Sequence, residues 1–150
     1  MGIATGEVLV GNMGLESRFD YSCIGDTVNV ASRVEGTCRA VGYDIVVTDA
    51  VRRAAPDLAY LGAGAIGLKG KAQREPIFIL VGDEAVARSG SFKALEAAHR
   101  RAVDAVEADS EAAVAECARL AEAVEPGLSA FYAQLASRRA DYAPAAALPA

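Results

Sequence analysis

Asn29 and Arg33 stand four residues apart in the stretch Asp26-Thr27-Val28-Asn29-Val30-Ala31-Ser32-Arg33-Val34-Glu35. On a helix that spacing stacks the amide and the guanidinium on one side. An amide can donate to and accept from a sugar hydroxyl, and a guanidinium presents a planar fork to phosphate oxygens. The pair therefore suits a ligand with a sugar and a phosphate side by side. Without its flanks the same pattern also fits a capped surface helix with a solvated arginine. Lys69 lies in Gly67-Leu68-Lys69-Gly70-Lys71-Ala72, a small basic loop where a lysine taken by itself is a surface-turn residue. Ser22 supplies a hydroxyl that can both donate and accept.

The elements that must position these groups follow from local pattern. Residues 3–10 read as one strand with Gly6 at its centre, where an interior glycine marks a bulge or a close approach by another part of the chain. Gly11-Asn12-Met13-Gly14 is expected as a turn. A second strand from Phe19 to Ile24 then completes a hairpin. Gly6, Gly11 and Gly14 lack the spacing of the dinucleotide fingerprint, and no Gly-Lys-Ser/Thr follows to make a P-loop. Asp26 is expected to cap a helix running from Asp26 to Ala40, with Val30 and Val34 on its apolar face and Gly42 as its C-terminal stop. A strand over Tyr43–Thr48, a short helix ending before Pro56, an extended Leu58–Ile66 and a buried strand over Pro76–Val81 come next. Strands alternating with helices point to a sheet with helices on one face.

After Glu84 the chain becomes Ala-rich, with apolar residues at helical spacing: Phe92, Leu95, Val103 and Val106; Val114, Cys117, Ala121 and Val124; Leu128, Phe131, Tyr132 and Leu135. Ser91 and Ser110 are candidate N-caps, and Pro126-Gly127 separates two helices. Residues 85–150 thus read as two or three helices, acting as a docking or regulatory appendage or as a packing buttress. His99, the only histidine, is expected to be solvated there.

Composition narrows the functional classes. Residues 1–84 contain 8 Lys/Arg against 11 Asp/Glu and residues 85–150 contain 7 against 9, so neither part has the basic stripe of a nucleic-acid binder. A small anionic substrate stays open, because local field decides its binding. Three cysteines without CxxC spacing fit buried or partly buried thiols in a reducing compartment. No apolar run approaches the ~18–20 residues of a membrane span, and the N-terminus lacks the basic region of a signal peptide. A cytoplasmic location is expected.

Several ordered blocks, read together, resemble the C-terminal half of a class III nucleotidyl cyclase catalytic domain, the adenylate/guanylate cyclase family. They are Gly2-Ile3, Gly6-Glu7-Val8, Gly11-Asn12-Met13-Gly14, Arg18-Phe19-Asp20-Tyr21, Ile24 through Glu35, and Leu68-Lys69-Gly70-Lys71. The resemblance covers residues 2–82 and implies an α+β fold with a ferredoxin-like, palm-type sheet. The expected organisation is a half-domain over 1–84, truncated at its N-terminus, followed by an all-α extension over 85–150.

The resemblance also implies roles. Asn29 matches the asparagine that orients the substrate ribose, and Arg33 the arginine that holds the triphosphate and stabilises the transition state. Lys69 matches the lysine that contacts the terminal phosphates. Ser22 falls at a base-contacting position, where a serine excludes neither purine and its likeness to threonine favours ATP over GTP. The implied reaction converts ATP to cyclic AMP and pyrophosphate for intracellular signalling, with two Mg²⁺ or Mn²⁺ ions and an active site at a head-to-tail dimer interface. The partner is expected to be a second copy or another cyclase domain. Both metal-binding aspartates belong to the family's N-terminal half, and nothing in 1–84 has a matching Phe-x-Asp or Lys-x-x-Gly-Asp context. No metal ligand is therefore expected here, and the fragment alone is expected to be inactive. The alternatives are a guanylate cyclase and a non-catalytic cyclase-like pairing module.

Overall fold

The computed structural model describes residues 1–15, 18–67, 74–104 and 110–137. Among the described residues, six strands and six helices run in the order β1 (Gly2–Ile3), β2 (Leu9–Leu15), β3 (Arg18–Ile24), α1 (Asp26–Val41), β4 (Val46–Thr48), α2 (Asp49–Ala54), β5 (Ala59–Gly67), β6 (Arg74–Gly82), α3 (Glu84–Arg88), α4 (Gly90–Asp104), α5 (Ser110–Ala121) and α6 (Leu128–Ser137). A four-stranded mixed sheet has the order β1-β4-β6-β5, with β1 parallel to β4 and the remaining pairs antiparallel. The fold is α+β. β2 and β3 form a separate two-stranded antiparallel sheet.

The Pro76–Val81 run is a strand because its burial alternates. Ile77, Ile79 and Val81 enter the core while Phe78 and Leu80 are half-buried on the other face. β6 is an inner strand with β4 on one side and β5 on the other, and β4 is the second, set between β1 and β6. α1 lies over the sheet through Val34, which is fully buried, and Val30, which packs on the same core. The helix stops where expected. Gly42 is left-handed at φ 77° and returns its N–H to the Cys38 carbonyl.

Three local expectations are corrected. First, residues 3–10 are not one strand. The chain leaves the sheet after Ile3, and at Gly6 (φ 158°) an added Cβ would stand 2.5 Å from Thr27 Oγ1. Thr27 Oγ1 in turn donates to the Glu7 carbonyl at 3.2 Å, so this segment crosses the start of α1 instead of continuing a ladder. Second, Gly11-Asn12-Met13-Gly14 is strand and not turn. β2 passes straight through it, in register from Leu9 opposite Ile24 to Leu15 opposite Arg18. Third, the N-cap of α1 is Gly25, which has no side chain to offer. Asp26 instead occupies the first turn, where its negative charge complements the helix dipole.

Among the described residues, the extension has three helices of ten residues or more, preceded by the short α3. Asp83 caps α3 by accepting from Ala85 N and Val86 N, while Ser89, not Ser91, caps α4 by accepting from Phe92 N at 3.1 Å. Phe92, Leu95, Cys117, Leu128, Phe131 and Tyr132 belong to one contiguous buried cluster with Val34, Leu61, Ile77 and Ile79 of the sheet region. Val106 and Ser110's side chain lie outside the described residues.

Among the cysteines, Cys117 is buried and Cys38 partly buried, but Cys23 is exposed on the hairpin, contrary to expectation. His99 is the larger correction. It is only 5% exposed, because Phe92, Leu95, Ala98 and Ala102 draw the same side of α4 into the core. Among the described residues no helix is long and apolar enough to cross a membrane.

Candidate active site

α1 turns Val34 inward and leaves both Asn29 and Arg33 exposed, so the apolar stripe that docks the helix also determines which side chains face out. The helix sits close to the sheet: a Cβ on Gly2 would stand 2.2 Å from Glu35 N and 2.6 Å from the Ala31 carbonyl oxygen. Only a glycine in β1 permits that approach. The height of Asn29 and Arg33 above the sheet is thereby fixed by backbone-to-backbone contact.

Arg33 reaches from α1 to β5. Its Nη1 donates to the Gly67 carbonyl at 3.4 Å, at the last residue of the strand. Lys69 and its neighbours 68–73 lie outside the described residues. The segment is bracketed on its other side by Arg74, whose Nη2 donates to the Ala65 carbonyl at 2.8 Å. Two guanidinium groups thus hold the last residues of β5 from both flanks, and among the described residues Arg33 gives the protein one of its five donors. Arg74 was not singled out from sequence; its place beside a Gly-Lys-rich loop was the available signal.

Ser22 sits on β3, opposite Gly11 of β2, and its residue is exposed. The structure thus brings Arg33 to the entrance of the Lys69 segment and places Asn29 one turn away on the same helix, while Ser22 belongs to the separate hairpin. That hairpin and the segment entering it also expose Val8, Leu9, Val10, Tyr21 and Ile24, with Leu9 70% and Tyr21 77% accessible.

Among the described residues, no group of three or more His, Cys, Asp or Glu side chains could hold a metal ion. The donor set present consists of an amide, a guanidinium and a hydroxyl, which suits anions and sugars and does not fit divalent ions.

The second buried polar centre lies behind β5. His99 Nε2 is 3.0 Å from the Gly62 carbonyl and Nδ1 is 3.2 Å from the Tyr132 hydroxyl. Since a carbonyl only accepts, Nε2 carries the proton and Nδ1 accepts from tyrosine. Burial pushes the His99 pKa down to about 4, opposed only partly by the Gly62 bond. The signal for this site was in the sequence: His99 follows Leu95 by four residues, inside the apolar stripe.

Known proteins bear on these features. The adenylate and guanylate cyclase catalytic domain model matches residues 1–82. An adenylate cyclase of Anabaena cylindrica is 47% identical over 53 residues, which are 35% of this chain and 11% of that protein. Adenylate cyclase 1 of Rhizobium meliloti (strain 1021) is 37% identical over 82 residues, 54% of this chain and 12% of that protein. The solved structure of the adenylyl cyclase CyaB from P. aeruginosa is 31% identical at a TM-score of 0.48, covering 55% of this chain and 41% of that one. The chain spans about a ninth to an eighth of the length of these two curated relatives. Because the match runs from residue 1 to residue 82, past every motif described above, the chain belongs to the adenylate and guanylate cyclase catalytic domain family.

Proposed function

We propose that this chain supplies the ribose- and phosphate-holding side of an adenylate cyclase site. The observation that supports this reading best is the reach of Arg33 to Gly67, since it joins the helix bearing Asn29 to the strand that leads into Lys69. In the reaction, the ribose 3′ hydroxyl gives its proton to water as its oxygen forms a bond to the α-phosphorus, while the bond from that phosphorus to the bridging oxygen breaks. Pyrophosphate leaves with the electron pair. Asn29 orients the ribose so that the 3′ oxygen is in line, Arg33 neutralises charge that builds on the phosphate oxygens, and Lys69 holds the terminal phosphates. Ser22 contacts the base. The adenylate cyclase names of the relatives support ATP over GTP as substrate.

This half of a site requires carboxylates from elsewhere to bind two Mg²⁺ or Mn²⁺ ions. Pairing with a second copy or another cyclase domain is supported by the apolar residues left exposed on the hairpin. On this reading the chain alone is inactive. The experiment is saturation binding of ATP and GTP to the chain and to Arg33→Ala. ATP binding that is lost in the variant supports the reading, and equal binding by both proteins contradicts it.

A further inference from the structure

Beyond the family's half-domain, the helical extension has its own link to the site. α1 and β5 meet at one end through Arg33 and Gly67. At the other end they are joined by the extension. α6 seats against the C-terminus of α1, where a Cβ on Gly42 would stand 2.7 Å from the Ala130 carbonyl oxygen. From α6, Tyr132 bonds to His99 on α4, and His99 bonds to the Gly62 carbonyl in β5. Phe131 and Tyr132 flank the imidazole with ring centroids 5.9 Å away.

Gly62 is not an ordinary strand position. The register of β5 against β6 shifts between Gly62 and Ala65, and Gly64 within that bulge has φ 86°. Gly62 itself stays in register with Phe78, and the bulge that follows disrupts the ladder locally and re-aims the strand beyond it. Here the strand beyond it is Ala65–Gly67, which accepts from Arg74 and Arg33 and leads into the Lys69 segment. His99 supplies a hydrogen bond at the bulge from a side chain that cannot move, being buried and held at both nitrogens.

We propose that the extension is a clamp on the phosphate-holding side of the site, and that His99 is its positioning residue, setting the direction in which β5 delivers Gly67 toward Arg33. This rests on the nucleotide-binding reading above. His99 touches no substrate; it acts through the bulge. A buttress with no such role would stabilise the fold without altering anion affinity.

The test uses the full chain and inorganic tripolyphosphate as probe, with affinity and backbone amide shifts read by NMR titration. His99→Phe removes both bonds and is expected to displace the amide resonances of Gly67 and residues 68–73. It should also weaken tripolyphosphate binding roughly three- to tenfold, the scale of one hydrogen bond. His99→Gln can still donate to Gly62 and is expected to restore both readouts. Tyr132→Phe, a milder change that frees the imidazole, should move them in the same direction by less, and it decides the matter if His99→Phe does not fold. Val114→Ala, which weakens the core of the extension away from these bonds, is expected to lower stability and leave binding unchanged. The proposal is overturned if the His99 and Tyr132 variants bind as wild type while Arg33→Ala loses binding, or if Val114→Ala weakens binding as much as they do. If wild type and Arg33→Ala bind alike, the nucleotide-binding reading falls and takes this inference with it.

Discussion

Arg33 and Gly67, 34 residues apart, meet through one hydrogen bond of 3.4 Å from Nη1 to the carbonyl oxygen. The bond ties an exposed position on α1 to the end of a sheet strand, so the guanidinium is held where it can turn toward phosphate without losing its anchor. Among the described residues one donor is committed to the protein, of the five that a guanidinium carries. A lysine at position 33 would keep the charge but lose the fork.

Base choice should respond to Ser22. A carboxylate accepts from the exocyclic amine of adenine and repels the guanine carbonyl. Ser22→Asp is therefore expected to raise the ATP/GTP ratio of kcat/KM in a completed cyclase domain. An unchanged ratio would remove Ser22 from the base site.

The closeness of α1 and β1 should be sensitive to one methyl group. A Cβ on Gly2 meets backbone atoms of Glu35 and Ala31, which cannot rotate away. Gly2→Ala is expected to destabilise the chain by about 1–3 kcal/mol, the usual scale of overpacking. Urea unfolding within about 0.5 kcal/mol of wild type, the scale of a neutral surface change, would contradict the packing described.

Sheet and helices were legible where one signal dominated. The alternation in Pro76–Val81 and the valine spacing in α1 each reported directly on the buried face. That Asn29 and Arg33 both face out from α1 was legible from their four-residue spacing beside Val30 and Val34. What failed had its cause in contacts between distant residues. Gly11 and Gly14 look like turn residues, but cross-strand pairing from Leu9 to Leu15 keeps them in a strand. Asp26 has the chemistry of a cap, yet Gly25 occupies that place where the chain passes beneath Glu7 and Val8. His99 was read by polarity and not by its place in the stripe, and its two partners lie 37 and 33 residues away.

Acid should expose the cost of that buried histidine. His99 is held at a pKa of about 4, below its ordinary 6.5, so the unfolded chain binds a proton that the folded chain refuses. The contribution is fully present above pH 6.5 and is lost as pH falls toward 4. The loss amounts to about 3 kcal/mol. Carboxylates titrate nearby in pH, so the comparison is the difference in denaturation free energy between wild type and His99→Gln. That difference should shrink from pH 7 to pH 4, and a constant difference would contradict a neutral buried imidazole.

The extension and the sheet share one core, with Leu95 fully buried among residues of both. Leu95→Ala is expected to cost about 2–5 kcal/mol and to lower a single melting transition. Separate transitions, with only one shifted, would show that residues 85–150 fold independently of 1–84.

The most direct test is turnover by a cyclase domain completed with an upstream half that supplies two metal-binding carboxylates, assayed as cyclic AMP formed from ATP. Asn29→Ala and Arg33→Ala are each expected to lower kcat by about 100-fold or more with only a modest change in KM, because their contacts tighten as charge builds in the transition state. Wild-type kcat in either variant would show that α1 does not carry the phosphoryl-transfer side of the site.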